Sequence, residues 1–156
     1  MASRNDSSHG FLLPNEPTYI VACSGSEAKI FSSQRRFGKW DEVKHLENPG
    51  AALRERDRTT DRPGRAFDSV GRGRHALAPD ETGREHELQQ FASSLADYLV
   101  KAQATGAFRQ LILVAEPTFL GYVRRKLSAP LRRALCFEVP KNPTGFDTER
   151  LRAMFS

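Results

Sequence analysis

The order of apolar and polar positions predicts three strands near the start of the chain. Residues 18–23 are apolar or β-branched and end in a Ser-Gly-Ser turn, so they predict a buried strand. Residues 28–32 alternate and predict a second strand, while residues 39–46 predict a third at a sheet edge, with a bulge near Asp41. The apolar positions of this third strand are Trp40, Val43 and Leu46. Short turns between the strands favour an antiparallel meander.

The pattern changes to a helical period from residue 82 onward. Thr82 and Glu85 form a capping-box pair, which predicts a helix that begins there and runs to residue 103. Apolar residues recur every three or four positions along one stripe of this helix: Leu88, Phe91, Ala92, Leu95, Leu99 and Ala102. Gly106 follows as a C-terminal stop signal.

The remaining third alternates strands and helices. Residues 110–115 predict a buried strand, and Glu116-Pro117-Thr118 opens a helix that continues to Leu127. Ser128 caps a short second helix with Pro130 in its first turn, and residues 136–139 predict the last strand. A helix over residues 147–155 closes the chain, with inward positions Leu151, Met154 and Phe155.

These elements predict one α/β domain over residues 18–156. Its five-stranded mixed sheet combines the three-strand antiparallel meander with two crossover strands, and helices flank the sheet. Residues 1–17 are polar apart from one short apolar patch, and they predict a disordered N-terminal tail.

The segment 47–84 follows neither a strand nor a helix pattern and predicts a long loop. Loops of this length inside compact domains are usually functional or disordered. Its most distinctive part, residues 60–77, is rich in glycine and arginine. We therefore expect the function to be located there.

Arginine and glycine together suit a loop that grips a phosphate backbone. Arginine offers a planar fork of donors for phosphate, and glycine lets the backbone approach a ligand closely. The candidate RNA- or anion-binding residues are Arg62, Arg65, Arg72, Arg74 and His75, with the loop geometry set by Pro63, Gly64, Gly71 and Gly73. The alternative is a solvated loop in which arginines and aspartates pair with each other.

Charge and composition agree with an anionic partner. The 156 residues carry a formal net charge of +5, which favours RNA or another polyanion. The longest apolar run, residues 111–115, is far too short to span a bilayer, and the first residues do not resemble a signal peptide. We expect a cytoplasmic protein whose two cysteines, Cys23 and Cys136, are buried free thiols.

The sequence contains no complete catalytic motif and no cofactor fingerprint. Its four histidines lack the spacing of a metal site, and no Walker loop, dinucleotide fingerprint or nucleophile elbow is present. His75 is the best candidate for a proton carrier, and Asp61 and Asp68 are the candidate carboxylates. Whether the protein is an enzyme stays open at this point.

Three segments carry a family resemblance. Residues 60–69, residues 71–77 with the downstream Glu85-His86-Glu87, and the strand-turn at residues 113–121 resemble the bacterial host-attachment protein family. The resemblance extends from Tyr19 to Phe155. It implies a requirement for attachment to host cells, without stating a molecular activity.

The layout is also similar to the middle domain of archaeal and eukaryotic peptide-release factors. That resemblance implies an RNase H-like fold, in which a Gly-Gly-Gln loop enters the ribosome between a strand meander and a long helix. Here Arg74 and His75 stand where the second glycine and the glutamine would be. The hydrolytic glutamine is therefore not carried over.

The leading hypothesis is a domain that binds RNA or the ribosome through residues 60–77. A first alternative is an adhesion or interaction factor that uses the same loop on an acidic host or protein surface, or regulates attachment indirectly. A second alternative is a small hydrolase acting on a phosphorylated or nucleotide substrate. The sequence predicts no oligomeric state, although the third strand offers an edge for pairing.

Overall fold

The computed structural model describes residues 12–51 and 70–155, with side chains in 12–51 and 83–155. The strands of the first part are β1 (Thr18–Cys23), β2 (Glu27–Ser33) and β3 (Trp40–Glu47). The remaining elements are α1 (Val70–Ala104), β4 (Gln110–Ala115), α2 (Pro117–Lys126), α3 (Ala129–Ala134), β5 (Leu135–Val139) and α4 (Thr148–Ala153). This is an α/β fold.

The five strands form one mixed sheet in the order β3-β2-β1-β4-β5. β1 pairs antiparallel with β2 and parallel with β4, and β5 is parallel to β4. The predicted meander and the two crossover strands are confirmed. Because β1, β4 and β5 run in the same direction, their ends define a carboxyl edge of the sheet, and their starts define an amino edge.

Each face of the sheet buries its own hydrophobic cluster. The inward side chains of α1 and α2, among them Leu95, Leu99 and Phe119, cover one face together with α3. The other face is covered by Leu13, by Leu151 and Phe155 from α4 and its end, and by Trp40. Within the described residues no helix is both long and apolar enough to cross a membrane.

Local end signals fix the starts of α2 and α3 and the end of α1 as the sequence predicted. The Glu116 carboxylate accepts hydrogen bonds from the backbone N–H groups of Thr118 and Phe119 at the start of α2. Ser128 Oγ accepts a hydrogen bond from Leu131 N at the start of α3. α1 ends with bonds from Gly106 N to Gln103 O and from Ala107 N to Ala102 O. This pattern needs a left-handed residue, and Gly106 has φ +81°.

The third strand differs from its prediction at one residue. Ile30 pairs with Lys44 and Phe31 pairs with Glu42, so Val43 is the extra residue of a bulge in β3. The predicted bulge near Asp41 is thus displaced, and Val43 is 41% exposed. Trp40 is buried as expected, with ring centroids 5.7 Å from Phe31 and 5.9 Å from Phe155.

The prediction of a disordered tail is wrong for residues 12–17. Leu13 is buried under the second face of the sheet, and its carbonyl accepts a hydrogen bond from Arg36 Nε at 2.6 Å. Pro17 O accepts from Arg109 N and Gln110 N. An apolar side chain and backbone pairing to the sheet therefore hold this segment, while residues 1–11 lie outside the described part.

The predicted loop 47–84 is wrong from Val70 onward, because α1 already begins there. Thr82 and Glu85 lie inside the helix and do not cap it. Helix propagation adds one hydrogen bond per residue once a helix exists, so a helix anchored to the sheet extends through weak positions more easily than it starts. Residues 52–69 of the predicted loop lie outside the described residues.

The described side chains of α1 join the sheet from one position onward. Leu88 is the first described apolar side chain of α1 that joins the cluster on the sheet. It lies so close to the β1–β2 turn that a Cβ added to Gly25 would come within 2.6 Å of Leu88 Cδ2. We call residues 88–104 the packed half and residues 70–87 the leading half. At about 1.5 Å per residue, the leading half reaches about 27 Å along the helix from the carboxyl edge.

Candidate functional site

The structure divides the predicted site residues into two groups. Asp61, Arg62, Pro63, Gly64, Arg65 and Asp68 lie outside the described residues. Gly71, Arg72, Gly73, Arg74 and His75 lie in the first turns of α1. The second group is therefore placed on a helix and not on the flexible loop that the sequence predicted.

The leading half of α1 crosses four positions that disfavour a helix. Gly71, Gly73 and Gly83 each cost about 1 kcal/mol relative to alanine, and Pro79 costs about 3 kcal/mol in a helix interior. These breakers explain why the sequence indicated a loop. The first turn also contains no acidic residue to offset the positive end of the helix dipole.

A buried polar cluster closes the carboxyl edge beside the packed half. Ser24, Ser26 and Asn48 are all less than 9% exposed. The hydroxyls of Ser24 and Ser26 are 3.1 Å apart, and Asn48 Nδ2 donates to Gly25 O at 3.0 Å. These bonds hold the turn on which α1 rests, so the cluster positions the helix.

One carboxylate at the carboxyl edge serves the fold and is not free for acid–base chemistry. Glu116 follows β4 directly, and both of its carboxylate oxygens accept backbone N–H groups of α2, at 3.2 and 2.9 Å. This carboxylate is used as a helix cap. The hydrolase alternative would have to rely on Asp61 and Asp68, which lie outside the described residues.

Neither cysteine has the character of a nucleophile. Both are free, and burial raises the pKa of Cys23 from its ordinary 9.0 to about 12. Burial also raises the pKa of Cys136 to about 11, partly opposed by backbone hydrogen bonds. A reactive thiol needs a lowered pKa and access to solvent. The prediction of buried free thiols is confirmed for Cys23, and Cys136 is half-buried.

The described histidines do not form a metal site. His45 Nε2 lies 2.9 Å from Glu27 Oε1 on the exposed outer strands, and His86 is exposed on α1. Across 12–51 and 83–155, no three His, Cys, Asp or Glu side chains are grouped to hold a metal ion.

Sequence analysis missed a second basic region. Arg124, Arg125 and Lys126 end α2, and Arg132 and Arg133 follow in the short helix α3. In the fold, Arg132 Nη2 donates to Arg124 O at 3.1 Å, which joins the two groups. The signal in the sequence is the repeated basic run on either side of Pro130.

Comparison with known proteins gives one family match. A family model described as "Protein required for attachment to host cells" matches residues 19–154. A search of curated proteins gives no match.

Two solved structures are distantly similar. One is an archaeal translation termination factor, aRF1, with a TM-score of 0.45 and 13% identity over 80% of this chain and 30% of that one. The other is a PilM–PilN type IV pilus biogenesis complex, with a TM-score of 0.36 and 13% identity over 90% of this chain and 42% of that one. This chain spans less than half the length of either, and similarity of this degree identifies no activity.

Proposed function

This chain belongs to the family of proteins required for attachment to host cells, and from that premise we propose that it is an RNA-binding domain. It grips a phosphate backbone, such as that of ribosomal RNA, with residues 60–77, and it influences attachment indirectly from the cytoplasm. The arrangement of an antiparallel meander followed by two parallel crossover strands supports an RNase H-like assignment for the fold.

One observation carries the proposal: Arg72, Arg74 and His75 lie in the first turns of a helix whose first turn has no acidic residue. The start of a helix carries a partial positive charge, and the two arginines add two whole charges to it. Like charges at one helix end repel each other. A bound phosphate relieves that repulsion. Its oxygens accept hydrogen bonds from the helix N–H groups and from the arginine guanidinium groups.

The position of this helix start supports the same proposal. The packed half of α1 buries Phe91, Leu95 and Leu99 against the sheet, so it needs no ligand to be stable. The leading half extends past the turn at Gly25. A basic helix start suits contact with a large partner such as a folded RNA.

A filter-binding titration against purified ribosomes and a structured RNA, at several salt concentrations, tests the proposal. We expect Arg72→Ala with Arg74→Ala to weaken binding about tenfold or more. Loss of two phosphate contacts should also make the slope of log affinity against log salt shallower by roughly 2.

The matched control removes the same charge elsewhere. Lys39 and Arg152 are both exposed, at the β2–β3 turn and on α4, away from the start of α1. Lys39→Ala with Arg152→Ala should change affinity far less. Equal losses of RNA affinity in both variants would show that the effect depends only on net charge. Unchanged affinity in the Arg72 and Arg74 variant would overturn the proposal.

The family description itself favours a second candidate, direct attachment through an acidic host or protein surface. Protease treatment of intact cells separates the two. Digestion of the protein in intact cells would favour direct adhesion, whereas protection together with co-sedimentation with ribosomes supports the RNA-binding role.

A further inference from the structure

Five exposed cations gather where α2 and α3 end. Arg124, Arg125 and Lys126 form the last turn of α2, and Arg132 and Arg133 lie in the last turn of α3. α2 descends from the carboxyl edge, and α3 leads directly into β5. The five residues, which we call the α2–α3 basic surface, therefore lie toward the amino edge, at the opposite end of the sheet from the leading half of α1.

A groove of about 340 Å³ runs through this surface. Leu127 and Leu135 form its apolar floor, and Glu138 of β5 closes one side. Three guanidinium groups form its rim: Arg124, Arg125 and Arg132. The groove thus offers a shallow concave site with a positive rim.

Protein contacts hold two of these guanidinium groups in place. Arg132 donates from Nε to Leu127 O at 3.2 Å and from Nη2 to Arg124 O at 3.1 Å, at the end of α2. Arg124 donates from Nε and Nη2 to Glu138 Oε1 at 2.8 and 2.6 Å, and this bond raises the pKa of its guanidinium. An arginine has five N–H donors, so each retains donors for an anion while its position is already fixed.

The positive charge exceeds what the fold uses. Glu138 supplies one negative charge, and the two helix ends supply about half a charge each. These offset about two of the five cations. Arg125 lies 5.1 Å from the centroid of the Tyr122 ring, and no carboxylate of the described residues forms an ion pair with Arg125, Lys126 or Arg133.

We propose that the α2–α3 basic surface is a second phosphate-contacting surface for RNA, an inference that rests on the proposed function. A surplus of about three charges spread over two helices matches a polymer with a charge on every unit better than a ligand with a single carboxylate. No aromatic residue lines the groove in the described part of the chain, and Tyr122 is buried beneath Arg125, so it offers no exposed face for base stacking. The surface therefore contacts backbone phosphates and is insensitive to base sequence.

The test uses Arg125→Ala with Arg133→Ala, which leaves both the Arg132 cap of α2 and the Arg124–Glu138 pair intact. The probes are a labelled RNA hairpin in two unrelated sequences and a polyglutamate peptide, titrated across salt. We expect about threefold to tenfold weaker binding of both hairpins and a salt slope shallower by roughly 1 to 2. Lys39→Ala with Arg152→Ala is again the charge-matched control, and thermal unfolding checks that each variant folds.

The outcomes separate this inference from the proposed function. If the Arg125 and Arg133 variant binds RNA like the wild type while the Arg72 and Arg74 variant does not, the inference is wrong and the proposed function stands. If wild-type protein has no salt-dependent affinity for RNA, both fail. If polyglutamate binds as tightly as RNA and only the Arg125 and Arg133 variant loses it, the occupant is an acidic protein and the inference is overturned.

Discussion

The two halves of α1 are one helix with opposite physical characters. In the packed half, Leu95 and Leu99 are completely buried and the helix ends in a hydrogen-bonded motif at Gly106. The leading half carries Gly71, Gly73 and Pro79, which disfavour a helix, together with the basic residues of the proposed site. Tertiary packing supports the packed half, and a helix that has formed extends through weak positions more easily than it starts.

This difference implies separate roles for the two halves, stability for one and ligand binding for the other. The packed half sets the stability of the domain, because it buries the apolar stripe on the sheet. Under the proposed function, the leading half carries the residues that contact the ligand. Substitutions in the two halves should therefore affect different measurements.

The largest effect is expected in the packed half. Leu95→Ala removes a fully buried side chain from the cluster on the sheet and should lower the free energy of unfolding by about 2–5 kcal/mol. Urea unfolding measures this, with the neighbouring exposed Ser94→Ala as a control expected to change it by less than about 0.5 kcal/mol. Similar small changes in both variants would contradict the packing described.

Pro79→Ala tests whether the leading half is helical. Removing a proline from a helix interior favours the helix by about 3 kcal/mol, so amide exchange in residues 70–82 should slow by about 100-fold. Hydrogen-exchange mass spectrometry measures it. Pro117→Ala is the control, because Pro117 lies in the first turn of α2, where proline is tolerated. No slowing on Pro79→Ala would indicate that these residues do not form a helix.

Alkaline pH should lower the free energy of unfolding, because Cys23 is buried in the cluster beneath the packed half. The thiol of Cys23 keeps its proton in the fold up to about pH 12 but loses it near pH 9.0 when unfolded. Between these values the unfolded state binds fewer protons, so the stability falls by about 1.4 kcal/mol per pH unit. Unfolding of Cys23→Ala across this range should show a shallower decline, because Cys136 and Tyr19, whose pKa values burial also raises, still contribute. Equal slopes in both proteins would refute the assignment.

The smallest effects distinguish a helical glycine from a left-handed one. Gly83 lies in the leading half with no atom within 4 Å of an added Cβ, so Gly83→Ala should stabilise that half by about 1 kcal/mol. Gly106→Ala should instead destabilise the protein by about 1 kcal/mol, because φ is +81° there. Circular dichroism and urea unfolding measure both, and a change of the same sign in the two variants would count against the boundary between the helix and its end.

Much of the fold could be predicted because its signals are local. Glu116 and Ser128 mark helix starts, because their side chains accept hydrogen bonds from N–H groups two or three residues away. Gly106 marks the end of α1. The stripe through Leu95 and Leu99 has the helical period. These features depend on neighbours in sequence, so an apolar and polar pattern is enough to place them.

Other features depended on contacts that are distant in sequence. The sequence pattern predicts Val43 as a core position, but the register with β2 makes it an exposed bulge residue. Leu13 reads as part of a tail, but the second face of the sheet buries it. A one-dimensional pattern does not contain the partner strand or the opposite face, so neither outcome could be read from it.

By itself, the sequence determined the α/β class, the strand directions, the helix caps and the presence of a Gly/Arg segment, because each follows from residues close together in the chain. Only the tertiary structure decided that α1 begins at Val70, which places Arg72, Arg74 and His75 on a helix. It also brought Arg124 and Arg132 together around Leu127 and Glu138. The physical reason is that both outcomes need the folded chain: a helix packed on the sheet propagates through positions that disfavour a helix, and tertiary contacts join residues that the sequence keeps apart.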